Sequence, residues 1–172
     1  MISNPKIIIA ILLTFCLLLS SCSAKASPEE VLNSLINAEI GRGAGTAYSL
    51  SAPEGTEGYI SDTALLSIYG FDRGLEGLSS GAIYLSDFCH PVEFAVFICD
   101  NTYALEDVAM HLKNRITALS KNAAESAVFC GMSEEEYRAY IDSAEVVISG
   151  HCIALIISSD TSEAKRTLLH TL

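Results

Sequence analysis

Residues 92–99 have the sequence VEFAVFIC, and this stretch decides the fold of the chain. Its β-branched and aromatic residues predict a strand. Apolar side chains occupy both of the alternating faces, which is typical of a strand buried inside a sheet. Glu93 is the exception. Because an isolated carboxylate is costly to bury, we expect Glu93 to lie at an exposed strand edge; if it is buried, it must be paired or have a raised pKa.

The elements next to this strand have clear patterns. Residues 82–86 predict another strand, and turn signals in residues 87–91 join the two strands into a hairpin. A long helix begins at Asn101 or Thr102 and carries one narrow apolar stripe. The stripe consists of Leu105, Val108, Ala109, Leu112, Ile116 and Leu119.

A second hairpin and helix follow the same plan. Residues 145–149 and 152–158 predict two strands joined by a tight turn. Ser133 begins a shorter helix before them, and Asp160 caps a helix after them. The order over residues 82–172 is therefore β-β-α-(α)-β-β-α. We predict an α+β fold, with an antiparallel sheet of about four strands and helices packed on one face.

The region before these hairpins is less regular. A capping box at Ser27 predicts a helix that starts at Pro28. Residues 41–81 are rich in glycine, which favours loops and turns. One short helix is predicted within them, capped by Ser61 or Asp62 and stopped at a glycine.

The composition limits the classes of function. The chain has 172 residues, of which 50% are hydrophobic, and this is far too apolar for a disordered protein. Its length suits one domain of ordinary size. Because 10 basic residues stand against 21 acidic ones, for a formal charge of −11, the sequence argues against binding to nucleic acid.

The N-terminus has the pattern of a secretory signal peptide. Lys6 is followed by residues 7–19, which are all apolar except Thr14, and then by two serines. The apolar run is too short to cross a bilayer. Residues 19–22 (LSSC) resemble the lipobox of bacterial lipoproteins. The resemblance implies cleavage before Cys22, a diacylglyceryl group on the Cys22 sulfur, and anchoring at the extracytoplasmic face of the cell membrane.

Several segments of the chain together resemble a known domain of unknown function. In order, they are residues 66–70 (LSIYG), residues 93–97 (EFAVF), the amphipathic helix over residues 105–119, residues 146–150 (VVISG) and residues 154–158 (ALIIS). This succession resembles the DUF4358 domain over roughly residues 60–170. The resemblance implies a cell-envelope lipoprotein of Clostridia-like Gram-positive bacteria, and it supplies no catalytic signature.

Four segments follow from these patterns. We expect a lipoprotein signal peptide at 1–21, a lipidated cysteine with a short tether at 22–27, an N-terminal helix with a glycine-rich connector at 28–59, and a DUF4358-like globular domain at 60–172.

The cysteines of the globular part are the remaining candidates for chemistry. Cys89, Cys99, Cys130 and Cys152 are either disulfide-bonded or free thiols, and the sequence does not choose among the possible pairings. The pairs Cys89-His90 and His151-Cys152 lack the spacing of structural zinc sites, so we expect no metal site. No motif for a cofactor is present either.

We therefore expect a membrane-anchored, non-catalytic module that binds a partner, for example an envelope protein, or supports the envelope. The alternative is a cysteine-dependent redox or hydrolytic enzyme, which would use Cys89 or Cys152 with the neighbouring histidine.

Cys22→Ala tests the lipid anchor. We expect cells fed a labelled fatty acid to incorporate the label into the wild-type protein and not into the variant, because the thiol that accepts the lipid is gone. Cys99→Ala serves as the matched control and keeps the label. Equal labelling of the wild type and Cys22→Ala would contradict the expectation.

Overall fold

The computed structural model describes residues 26–39, 44–87 and 90–172. The signal peptide, Cys22 and Cys89 lie outside these residues. The described chain forms an antiparallel sheet in the order β1-β2-β3-β5-β4. Its strands are β1 (Gly45–Ser49), β2 (Leu78–Ser86), β3 (Glu93–Cys99), β4 (Glu145–Ser149) and β5 (Cys152–Ile157).

Five of the six described helices begin where their capping residues predict. The side chains of Ser27, Ser61, Asn101, Ser133 and Asp160 each accept a hydrogen bond from a backbone N–H in the first turn of a helix. In the part of the chain that the structure describes, no helix is long and apolar enough to span a membrane. The helices are α1 (Pro28–Ala38), α2 (Asp62–Tyr69), α3 (Thr102–Lys121), α4 (Ala123–Cys130), α5 (Glu134–Asp142) and α6 (Thr161–Thr171).

The α+β class and the antiparallel sheet are confirmed, but the helices cover both faces of the sheet, so their predicted placement on one face is wrong. Phe97 and Ala95 face α2–α5, whereas Phe94 and Val96 face α1 and α6. The physical reason is already present in β3 and β5. Both strands carry apolar side chains on both of their faces, so a helical layer on one side only would leave the other apolar face in water.

The sheet has one strand more than the predicted number. This is β1, which pairs with β2 from Gly45↔Ser86 to Ser49↔Ala82. It lies at the sheet edge within the glycine-rich region, and its residues are exposed or half-buried, so the hydrophobic alternation that marks a strand is absent. Helix α4 also has no counterpart in the predicted order of elements.

The register places residues of neighbouring strands side by side in rows across the sheet, and two of these rows mark its ends. We call the end with the row Leu85–Glu93–Ile157 the distal end, and the end with the row Ser80–Ile98–Cys152–Ser149 the proximal end.

Helix α1 runs from the proximal end to the distal end. Ser27 and Pro28 at its start line a groove with Ile98 and Cys152. Glu39 follows its last residue and accepts hydrogen bonds from the backbone N–H (3.1 Å) and hydroxyl (2.7 Å) of Ser159, just beyond β5. The chain therefore enters the domain at the proximal end.

Candidate functional site

The distal end of the sheet holds an open cavity of about 490 Å³. It lies between the sheet and the layer of helices α2–α5. Most of the side chains around it are apolar, and those that form its walls are Ile68, Leu85, Pro91, Val92, Leu119 and Phe129. Phe129 is 72% exposed, so the cavity has an apolar rim that water reaches.

An ion pair between a strand and a helix also lines this cavity. Glu93 is the first residue of β3 and is only 4% exposed. The Arg115 guanidinium on α3 donates from Nη2 to Oε2 at 2.8 Å, and from Nε to Oε2 at 3.2 Å and Oε1 at 3.4 Å. These contacts orient the planar guanidinium group against the carboxylate.

Tyr69 completes the buried group. Its hydroxyl donates to Glu93 Oε1 at 2.9 Å, and its ring packs edge-on against Phe97 with the centroids 5.9 Å apart. Burial and the nearby Glu93 carboxylate hold the pKa of Tyr69 well above its ordinary value. Burial alone would lower the pKa of Arg115, but the Glu93 carboxylate outweighs it, and the pKa is raised. Arg115 therefore stays charged and Tyr69 stays a donor.

The expectation that Glu93 lies at an exposed edge is wrong. β3 is flanked by β2 on one side and β5 on the other, so Glu93 lies in the interior of the sheet. Its charge is tolerated because Arg115 and Tyr69 satisfy it.

Arg115 was missed by the sequence reasoning, although a signal for it exists. It lies three residues after Leu112 and four before Leu119, so it falls on the apolar stripe of α3. A charged residue on a buried stripe needs a partner of opposite charge, and Glu93 is the isolated acid of the central strand.

The Arg115 side chain lines the cavity and retains donors that Glu93 does not use. Its contacts with Glu93 use Nε and Nη2, and Nη1 has no acceptor among the described residues. The Glu93 oxygens already accept from two side chains. The hydrogen-bonding capacity that the Glu93–Arg115 pair leaves unused is therefore that of a donor. Such a donor suits a ligand with a carboxylate or carbonyl oxygen.

His90 and Asp87 lie at the edge of the same cavity, next to the β2–β3 turn. His90 Nε2 is 3.3 Å from the Tyr140 hydroxyl, and the two rings meet edge-on. The Ser86 hydroxyl donates to the carbonyl of His90, which ties the turn to the end of β2.

Cys99 and Cys152 are free, buried thiols on adjacent strands. They cannot form a disulfide with each other, because Cys99 faces the α2–α5 layer and Cys152 faces α1 and α6. Burial raises the pKa of each thiol to about 11, and a smaller contribution comes from Asp100 for Cys99 and from Cys99 for Cys152. A thiol with a raised pKa is a poor nucleophile at neutral pH.

The two histidines of the Cys-His pairs lie at opposite ends of the sheet. His90 precedes β3 at the distal end, and His151 precedes β5 at the proximal end, so these two histidines cannot bind one ion together. Within residues 26–39, 44–87 and 90–172, no group of histidine, cysteine and acidic residues could hold a metal. Cys130 lines the distal cavity, and Cys89 lies outside the described residues.

Comparisons of the chain with protein-family models, with curated proteins and with solved structures find no match. The resemblance to the DUF4358 domain and the lipobox therefore stay predictions from the sequence.

The buried thiols can be tested in a mature chain in which Cys22, Cys89 and Cys130 are alanine. At pH 8, a pKa near 11 in place of 9 leaves a thiolate fraction roughly a hundred times smaller. We expect Cys99 and Cys152 to react with a soluble aromatic disulfide only after unfolding in urea. Circular dichroism before urea is added checks that the variant is folded. Rapid modification of either folded thiol at neutral pH would contradict the assignment.

Proposed function

We propose that the protein is a lipid-anchored, extracytoplasmic binding module whose distal cavity takes a small apolar ligand with one carboxylate. The lipobox supports the anchoring, and the cavity supports the binding. The observation that carries the proposal is the open cavity itself, which combines apolar walls with Arg115 at its base. Its volume of about 490 Å³ falls within the range of small-molecule sites, and such sites combine apolar walls with a few oriented polar groups.

The charges around the cavity limit its ligand to at most one negative charge. Arg115 offers donors on Nη1, but Glu93 neutralises its charge and Asp87 lies at the rim. The chain as a whole carries a formal charge of −11, which repels multiply charged anions. One carboxylate on an apolar body matches both the donor at the base and the walls.

The cysteine-dependent enzyme is the second candidate, and the geometry weighs against its Cys152 form. Cys152 is buried, its pKa is raised to about 11, and the Nδ1 atom of His151 lies 2.9 Å from the carbonyl oxygen of Cys99. The form that uses Cys89 falls outside the described residues.

Titration with dansyl-labelled undecanoic acid tests the binding cavity. We expect its fluorescence to rise with the wild-type protein and to be displaced by unlabelled decanoic acid. Decanol should displace it roughly ten to a hundred times less well, because a hydrogen bond between charged groups contributes about 1.5–3 kcal/mol. Leu119→Trp should weaken binding by filling the cavity, whereas the matched control Leu66→Trp, which lies outside it, should not.

The outcomes separate the parts of the proposal. Equal displacement by the acid and the alcohol would overturn the role of Arg115 and keep the apolar site. Equal binding by Leu119→Trp, Leu66→Trp and the wild type, or no binding at all, would overturn the cavity as the site.

A further inference from the structure

A second groove, also of about 490 Å³, lies at the proximal end of the sheet. The row Ser80–Ile98–Cys152–Ser149 forms its floor across four strands. The start of α1 and the end of α6 form its sides, with Ala26 and Pro28 on one and Leu169 and Leu172 on the other.

The surface of this groove differs from the rest of this acidic protein. Leu169 of α6 is 50% exposed, and Leu172, which follows α6, is 39% exposed. These two leucines present apolar surface at one end of the domain. The chain has 21 acidic residues, yet none of them lines the groove. An exposed apolar surface without acidic side chains fits contact with another apolar phase better than contact with water.

The position of the groove in the chain indicates which phase this is. Ala26 lines the groove, and Cys22 is four residues earlier. Four fully extended residues reach about 14 Å at most. If the Cys22 sulfur carries acyl chains in the bilayer, the groove must therefore lie within about this distance of the lipid headgroups.

We propose that the proximal end of the domain rests on the bilayer surface, with Leu169 and Leu172 in contact with lipid. This proposal rests on lipidation of Cys22, which belongs to the proposed function. It fixes the orientation of the domain, because the Glu93–Arg115 pair lies at the other end of β3. Along that strand the distance is about 20 Å, so the distal cavity opens away from the membrane.

The protein contains no tryptophan, so a single introduced tryptophan reports its own surroundings without background. The test uses the lipidated chain in vesicles of phosphatidylcholine and phosphatidylglycerol, some of which carry bromine on their acyl chains. We expect bromine to quench the emission of Leu169→Trp by at least twofold, and its emission to shift to the blue. Val128→Trp is the matched control. It is exposed on α4 next to the distal cavity, and we expect no quenching.

Flotation of the vesicles separates this proposal from the anchoring itself. Protein that fails to float with the vesicles would show that the chain is not lipid-anchored, which overturns the proposed anchor and with it this orientation. Protein that floats while Leu169→Trp and Val128→Trp are equally unquenched would overturn the orientation alone. Quenching of Val128→Trp in place of Leu169→Trp would show that the distal end faces the bilayer.

Discussion

A single buried ion pair determines how this domain is assembled. Glu93 begins the central strand, and a carboxylate in that position needs an opposite charge and further hydrogen bonds. Arg115 of α3 and Tyr69 of α2 supply them. The pair therefore fixes where both helices lie on the sheet. The pair also lines the distal cavity, which opens between these helices and the sheet.

The two faces of the sheet are covered by different helices, and its two ends carry different features. Both faces are apolar, so α2–α5 cover one and α1 and α6 cover the other. The chain enters at the proximal end, where the groove beside Ala26 lies, and the Glu93–Arg115 pair lies at the distal end. The proposed tether and the proposed binding cavity lie at opposite ends, which suits a module that is held at a membrane and opens away from it.

Signals from neighbouring residues predict the helix starts in this chain, but they do not predict which distant segments pair with each other. Ser27 and Ser133 predict their helices because capping depends on neighbouring residues. The edge strand β1 has no apolar alternation, because neither of its faces is fully buried, and its presence is decided by pairing with β2.

The site depends on the same kind of distant contact. Glu93 was placed wrongly because its environment is set by Arg115, which lies 22 residues away in the sequence. Arg115 lies on the apolar stripe of α3, but its role is apparent only when this basic residue is paired with the buried carboxylate of Glu93.

A double-mutant cycle on Glu93 and Arg115, measured by urea unfolding, tests this account most directly. Glu93→Met and Arg115→Met should each lower the free energy of unfolding by about 3–5 kcal/mol, because each leaves the other charge buried without its partner. The double variant should regain most of this loss, since two apolar side chains of similar size replace the pair. Losses that simply add in the double variant would contradict the claim that the pair acts as one unit.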